Sequence, residues 1–220
     1  MKEEFETRKQ EVELYFDFLQ KIAGDEHHVT RVADGIAAYS AADRSEIVKT
    51  FKANGFLLLY NLMESTVKNS VEAIYDELQE KDIHFDACRD EVRRIVLFNL
   101  RRWDVDKILP SIGTIARDVV ASTFRKEEVF SGNVDARAIR ETAKGYGFRA
   151  PTRKSDQLLT VKTNRNDLAH GNKSFADVGR DYDMQRLMEI KTEVIEYLEE
   201  LIANIESYIA SSEYLSAALP

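Results

Sequence analysis

From Leu187 to Ile209 apolar residues recur at steps of three and four: Leu187, Ile190, Val194, Leu198, Leu201, Ile205 and Ile209. An α-helix turns once in about 3.6 residues, so this spacing stacks them in a single stripe. A stripe of that length must be laid against other apolar surface, and in a helical protein other helices supply it. The pattern predicts a long last helix that begins at Asp181 or Asp183 and runs to about Ser211. Nowhere does the chain sustain the two-residue alternation of a half-buried strand. The expected fold is therefore an all-α bundle of about seven helices, built on long antiparallel ones, with residues 1–220 as one domain. The 220 residues are 44% hydrophobic, enough for a real core, and 3 prolines and 9 glycines leave little room for a disordered linker.

The remaining helices follow from the same spacing. Val12, Tyr15, Leu19 and Ile22 predict a first helix over Lys2–Ile22, ended by Gly24-Asp25. Residues 24–42 read as a connection. Asp43 or Ser45 caps a second, long helix to about Glu80, which Asn54-Gly55 bends or weakens. From Phe56 to Leu78 it is apolar on more than one face, as expected of the most buried helix. Val92, Ile95, Val96 and Leu100 mark a third helix over Asp86–Arg101, with Trp103 and Asp104 at its end. After Pro110 a fourth covers Ser111–Phe124. Phe130 to Asn133 is a turn, and Asp135 caps a short helix closed by Gly145 or Gly147. Ser155 to Ala169 is helical, with Gly171 suited to the position just past its end. Lys173 to Arg180 reads as a loop.

Several function classes drop out. One cysteine, Cys88, permits neither an intrachain disulfide nor a thiolate metal cluster. His27 and His28 are adjacent, would point about 100° apart on a helix, and have no third ligand nearby in sequence; they read as a solvated loop pair. The longest apolar run, Phe56–Tyr60, is too short to span a bilayer. Met1–Gln10 is charged and lacks a signal-peptide core, so the expectation is a cytoplasmic protein. No cofactor is expected. The net charge of −8 argues against indiscriminate nucleic-acid binding. Yet Tyr146–Arg180 carries seven basic residues (Arg149, Arg153, Lys154, Lys162, Arg165, Lys173 and Arg180) against three acidic ones (Asp156, Asp167 and Asp177), a local net of +4.

That excess surrounds Asn164-Arg165-Asn166-Asp167-Leu168-Ala169-His170-Gly171. Arginine offers a permanent charge and a planar fork of donors suited to phosphate. Histidine moves protons near neutral pH. Asn166 and His170 share a helix face, and Arg165 lies about 140° round from His170, within reach of the same phosphate where the helix ends. Cleavage of RNA by its own 2′-hydroxyl needs a base for that hydroxyl and positive charge for the crowded phosphorane. A full acid–base pair needs two histidines, and the segment has one; a two-fold homodimer would bring the second. Lys162, Lys173, Arg149, Arg153 and Lys154 are the candidate RNA contacts. Glu64 sits in the apolar part of the second helix and needs a partner. A tyrosine hydroxyl or nearby lysine would serve structure, whereas Arg165 or His170 would serve function. The competing reading of the segment is a plain helix terminus, with His170 complementing the helix dipole and Gly171 turning the chain.

The pattern Arg165-Asn166-x-x-x-His170 in an all-α chain resembles the HEPN superfamily, whose hallmark is Arg-x(4–6)-His with a polar residue after the arginine. The helix containing Leu58-Leu59-Tyr60-Asn61-Leu62-Met63-Glu64, the segment Gly132 to Arg140, and the string Arg165 to Phe175 followed by Gly179 resemble the MAE-type HEPN subgroup. That likeness runs from about residue 10 to 210. It implies a metal-independent endoribonuclease, active as a dimer, that leaves a 2′,3′-cyclic phosphate and a 5′-hydroxyl and serves a bacterial toxin–antitoxin or other defence system, with a cognate antitoxin or defence protein as partner. Carried onto this chain, Arg165 binds or polarises the scissile phosphate, His170 is the general base or acid, Asn166 orients the pair or contacts RNA, and Glu64 tethers Arg165. Subgroups silenced by a nucleotidyltransferase carry a tyrosine two residues after the histidine. Here that residue is Asn172, so this regulation is not implied. The alternative is a non-catalytic HEPN-like dimer that senses or scaffolds RNA or protein.

Overall fold

A computed structural model describes residues 1–24, 29–30, 38–102, 115, 119–124 and 133–216. The fold is all-α: α1 (Lys2–Ala23), α2 (Ala41–Glu80), a 3₁₀ turn (Phe85–Ala87), α3 (Asp90–Arg101), α4 (Val119–Thr123), α5 (Ala136–Tyr146), α6 (Asp156–Ala169), α7 (Phe175–Arg180) and α8 (Met184–Ala210). No strand occurs among the described residues, and an isolated bridge joins Cys88 to Leu215. His27, His28, the Trp103–Asp104 terminus, Pro110 and Ser131-Gly132 lie outside the described residues, as does most of the expected fourth helix.

The chain folds into two compact units, with boundaries inside α2 and α8. One comprises residues 2–63 and 154–197 and contains the Arg–His segment; the other comprises residues 64–153 and 198–220 together with Met1. In the first unit, Phe16 of α1 is fully buried and meets Gly55 of α2, where an added Cβ would lie 3.1 Å from Phe16 Cζ. Gly55 was expected to bend or weaken the helix. Instead α2 continues unbroken through it, because the glycine makes room for a ring. Burying that ring contributes roughly 2–3 kcal/mol. The Tyr15 hydroxyl donates to the Phe51 carbonyl (2.5 Å), and the two rings stand 6.2 Å apart.

In the second unit, Tyr75 stacks on Phe124 at 4.1 Å and meets Tyr146 edge-on. The Asp135 carboxylate accepts from Ala138 N–H (2.8 Å), capping α5 as expected. Of the two candidate closing glycines it is Gly147, at φ 82°, that ends α5. The expected third helix is interrupted. Arg89 N–H donates to the Tyr214 carbonyl (2.8 Å), Ser216 N–H donates to the Ala87 carbonyl (2.9 Å), and Cys88 and Arg89 are extended. Pairing with the C-terminal segment overrides the local helical pattern, so α3 starts at Asp90.

Two further starts differ from expectation for one local reason. Ser40, not Asp43 or Ser45, caps α2: its Oγ accepts from Asp43 N–H (3.1 Å) and donates to the Asp43 carboxylate (2.6 Å). Ser174 and Asp177 repeat this arrangement at the same distances, and the segment read as a loop is the helix α7. The Ser174 hydroxyl holds the Asp177 carboxyl below the usual aspartate range.

Candidate functional site

Helix α6 carries the Arg–His segment, and both its ends are fixed by identifiable bonds. At the N-terminus Ser155 makes no side-chain cap hydrogen bond. The Glu193 carboxylate of α8 accepts from Gln157 N–H (2.9 Å) and pairs with Lys154 Nζ (3.3 Å), taking the role a capping residue usually fills. At the C-terminus His170 is the last residue of helical conformation, and Gly171 turns the chain at φ 69°. Asn172 N–H donates to the Asp167 carbonyl (2.8 Å) and Gly171 N–H to the Leu168 carbonyl (3.3 Å). This pair of bonds is a Schellman motif, and it explains why the segment ends in glycine.

Arg165 is half-buried. Its guanidinium carbon lies 4.3 Å from the centroid of the Tyr60 ring, and its Nη1 donates to Asn166 Oδ1 (2.9 Å). Tyr60 is 2% exposed, so the arginine rests on a buried ring. Among the described residues no carboxylate pairs with Arg165, and one of its five donors is engaged, by Asn166. Asn166 is half-buried and shares its helix face with the exposed His170. The structure thus brings Arg165 and Asn166 into contact and sets His170 one turn beyond Asn166, at the helix end.

Of the flanking basic residues, Lys162 is half-buried on α6. Lys173 follows the turn, loosely between Asp167 (3.8 Å) and Asp181 (3.9 Å). Lys154 is paired with Glu193. Arg149 and Arg153 are exposed and belong to the other unit. There the Arg149 carbonyl accepts from Asn204 Nδ2 (3.0 Å), and Glu200 accepts from Arg153 N–H (3.0 Å) and from both the N–H and hydroxyl of Thr152. Burial opposes ionisation of Glu200, but these bonds outweigh it and hold the carboxyl below the usual glutamate range. Glu64, expected as a tether for Arg165, forms an ion pair with Lys68 at 2.7 Å, the structural alternative raised by the sequence.

Sequence reading missed three supports. Tyr60 beneath Arg165 and Glu193 at the start of α6 act from distant parts of the chain. Asn164, 4% exposed, donates to the Thr160 carbonyl (2.9 Å) and the Tyr182 hydroxyl (2.8 Å), fixing the inner face of α6. Tyr182 also meets Phe56 edge-on at 4.8 Å, and its carbonyl accepts from Lys52 Nζ (3.0 Å). Among the described residues no group of His, Cys, Asp or Glu is arranged to hold a metal ion, and no helix is long and apolar enough to cross a membrane.

The all-α fold and the Arg165-Asn166-x-x-x-His170 segment at a helix end define a HEPN-type protein. A family model described as MAE_28990-like HEPN matches residues 1–214, and the chain belongs to that family. Neither the curated proteins nor the solved structures contain a match to it.

Proposed function

We propose that the protein is a metal-independent endoribonuclease that uses the 2′-hydroxyl of RNA as nucleophile, with a composite site formed by two copies of the Arg165–His170 segment in a homodimer. The observation that carries this reading is a half-buried guanidinium with no carboxylate paired to it among the described residues, five residues before an exposed histidine at the end of the same helix. A guanidinium left with open donors and no paired acid suits a phosphate.

In this mechanism one His170 takes the proton from the 2′-hydroxyl as its oxygen attacks the adjacent phosphorus. The partner's His170 gives a proton to the departing 5′-oxygen. The bond from phosphorus to that oxygen breaks, leaving a 2′,3′-cyclic phosphate and a 5′-hydroxyl. Arg165 stabilises the negative charge of the phosphorane, and Asn166 orients the guanidinium. Lys162, Lys173, Lys154, Arg149 and Arg153 are the residues assigned to RNA backbone contacts. A role in a toxin–antitoxin or other defence system, with a protein partner that restrains or recruits the enzyme, accords with a net charge of −8. The same charge favours the second reading, a non-catalytic HEPN dimer that binds RNA or protein. Incubation of the purified protein with total and transfer RNA in the presence of chelator, beside His170→Ala, decides between them. Cleavage by the wild type and not by a folded His170→Ala variant is expected. A strict metal requirement, or full activity in the variant, rules the mechanism out.

A further inference from the structure

Arg165 is held among the described residues by two neutral groups, the Asn166 amide oxygen and the face of Tyr60. The ring lies unusually close. At 4.3 Å it is well inside the other cation–ring distances of the described residues, at 5.8, 5.9 and 6.0 Å. Tyr60 is 2% exposed and held within α2. A long arginine side chain normally samples many rotamers, and restricting it during a reaction costs entropy. A fixed ring beneath the guanidinium removes that freedom before substrate arrives. The ring also adds attraction through its quadrupole without neutralising the charge, as a carboxylate would.

We propose that Tyr60 is a positioning residue for the ribonuclease reaction, a buried shelf that holds Arg165 in place while leaving its charge available to an RNA phosphate. This assignment rests on the ribonuclease reading above. Tyr60 acts through Arg165 and touches no reacting atom. Its aromatic face matters, not its hydroxyl, so Tyr60→Phe keeps the function and Tyr60→Leu, apolar but without the ring, loses it. Arg165→Lys keeps a charge but offers a compact ammonium with no planar fork, and does not restore activity.

Two measurements on the full chain test this separately. The first uses NMR of the free protein. Arg165 side-chain protons are expected upfield of ordinary arginine values in wild type and Tyr60→Phe, and at ordinary values in Tyr60→Leu. Ordinary values in the wild type overturn the shelf, with no variant required to fold. The second is a double-mutant cycle on RNA cleavage. Tyr60→Leu should lower kcat/KM by roughly fivefold to thirtyfold, mainly through kcat, the range expected for a desolvated cation–ring contact. In an Arg165→Ala background the same change should cost nothing further. Equal losses in both backgrounds make Tyr60 merely structural and overturn the proposal. Because the NMR result is read without RNA, failure of the ribonuclease reading and failure of the shelf appear as different results.

Discussion

Gly179 of α7 is the position where a single methyl group should do most damage. An added Cβ would lie 1.9 Å from the Lys49 carbonyl oxygen, 2.5 Å from its carbon and 2.7 Å from Lys49 Cα. All three are backbone atoms of α2, so no side-chain rotation relieves the clash. Ordinary contact begins at 3.4 Å, so α7 and α2 must separate by about 1.5 Å, the difference from 1.9 Å. Val178, fully buried beside Gly179, loses packing in that move. Tyr182, just past α7, is pulled from Lys52, from Asn164 and from the Phe56 ring. Two hydrogen bonds at about 1 kcal/mol each, with lost packing of about 1–2 kcal/mol, give roughly 3–4 kcal/mol. For a chain of this size that corresponds to a fall in Tm of about 10 °C. Gly171→Ala is the control. Gly171 has φ 69° and open space around its missing Cβ, so the cost is conformational strain alone, about 1 kcal/mol. Urea denaturation followed by far-UV circular dichroism reads both variants. If Gly179→Ala is no more destabilising than Gly171→Ala, the close approach of α7 to α2 is wrong.

Glu193→Ala removes the carboxylate that caps α6 and is expected to cost about 1–2 kcal/mol in urea denaturation, with cleavage also reduced; an unchanged midpoint would mean that the helix start is held by something else. Glu200 should give a pH-dependent contribution. Its folded pKa lies below the unfolded value, so its stabilisation is present above about 4.3 and is lost as pH falls through the folded pKa. The stability gap between wild type and Glu200→Gln should therefore close in acid, and a gap independent of pH would contradict the hydrogen bonds at Thr152 and Arg153. Arg165→Ala should weaken both cleavage and RNA binding, leaving a slow but measurable residual rate, and should leave the melting transition near wild type, because the side chain is half-buried and makes few bonds; a cooperative loss of fold would assign the arginine to structure.

Much of this was legible in the sequence where the cause is local. The α8 stripe from Leu187 to Ile205 lies in the core, although Tyr208, rather than Ile209, supplies its buried end. Gly171 after Ala169-His170 and Asp135 before Ala136 have the conformation and bond their residue types imply. The Ser174–Asp177 pair carried the same kind of local signal, but six residues are too few to show a helical stripe, so α7 read as a loop. The rest depends on residues far apart in the chain. Nothing in the neighbourhood of Tyr60 indicates that an arginine rests on it. Nothing near Ser155 indicates that a carboxylate from α8 replaces its cap. The 3₁₀ turn before α3 follows from pairing with Tyr214 to Ser216, which no periodicity near Asp86 reveals.

One substitution in the RNA shows whether its 2′-hydroxyl is the nucleophile. Once a cleavage position has been mapped on a short substrate, the ribose on its 5′ side is replaced by 2′-deoxyribose and the reaction is repeated in chelator with end-group analysis. Attack by the 2′-hydroxyl gives a 2′,3′-cyclic phosphate and a 5′-hydroxyl on the all-ribose strand, and no cutting at the substituted position. Continued cutting there, or a 5′-phosphate on the product, would mean that water and not the 2′-hydroxyl attacks, and the roles given to Arg165 and His170 would fall with it.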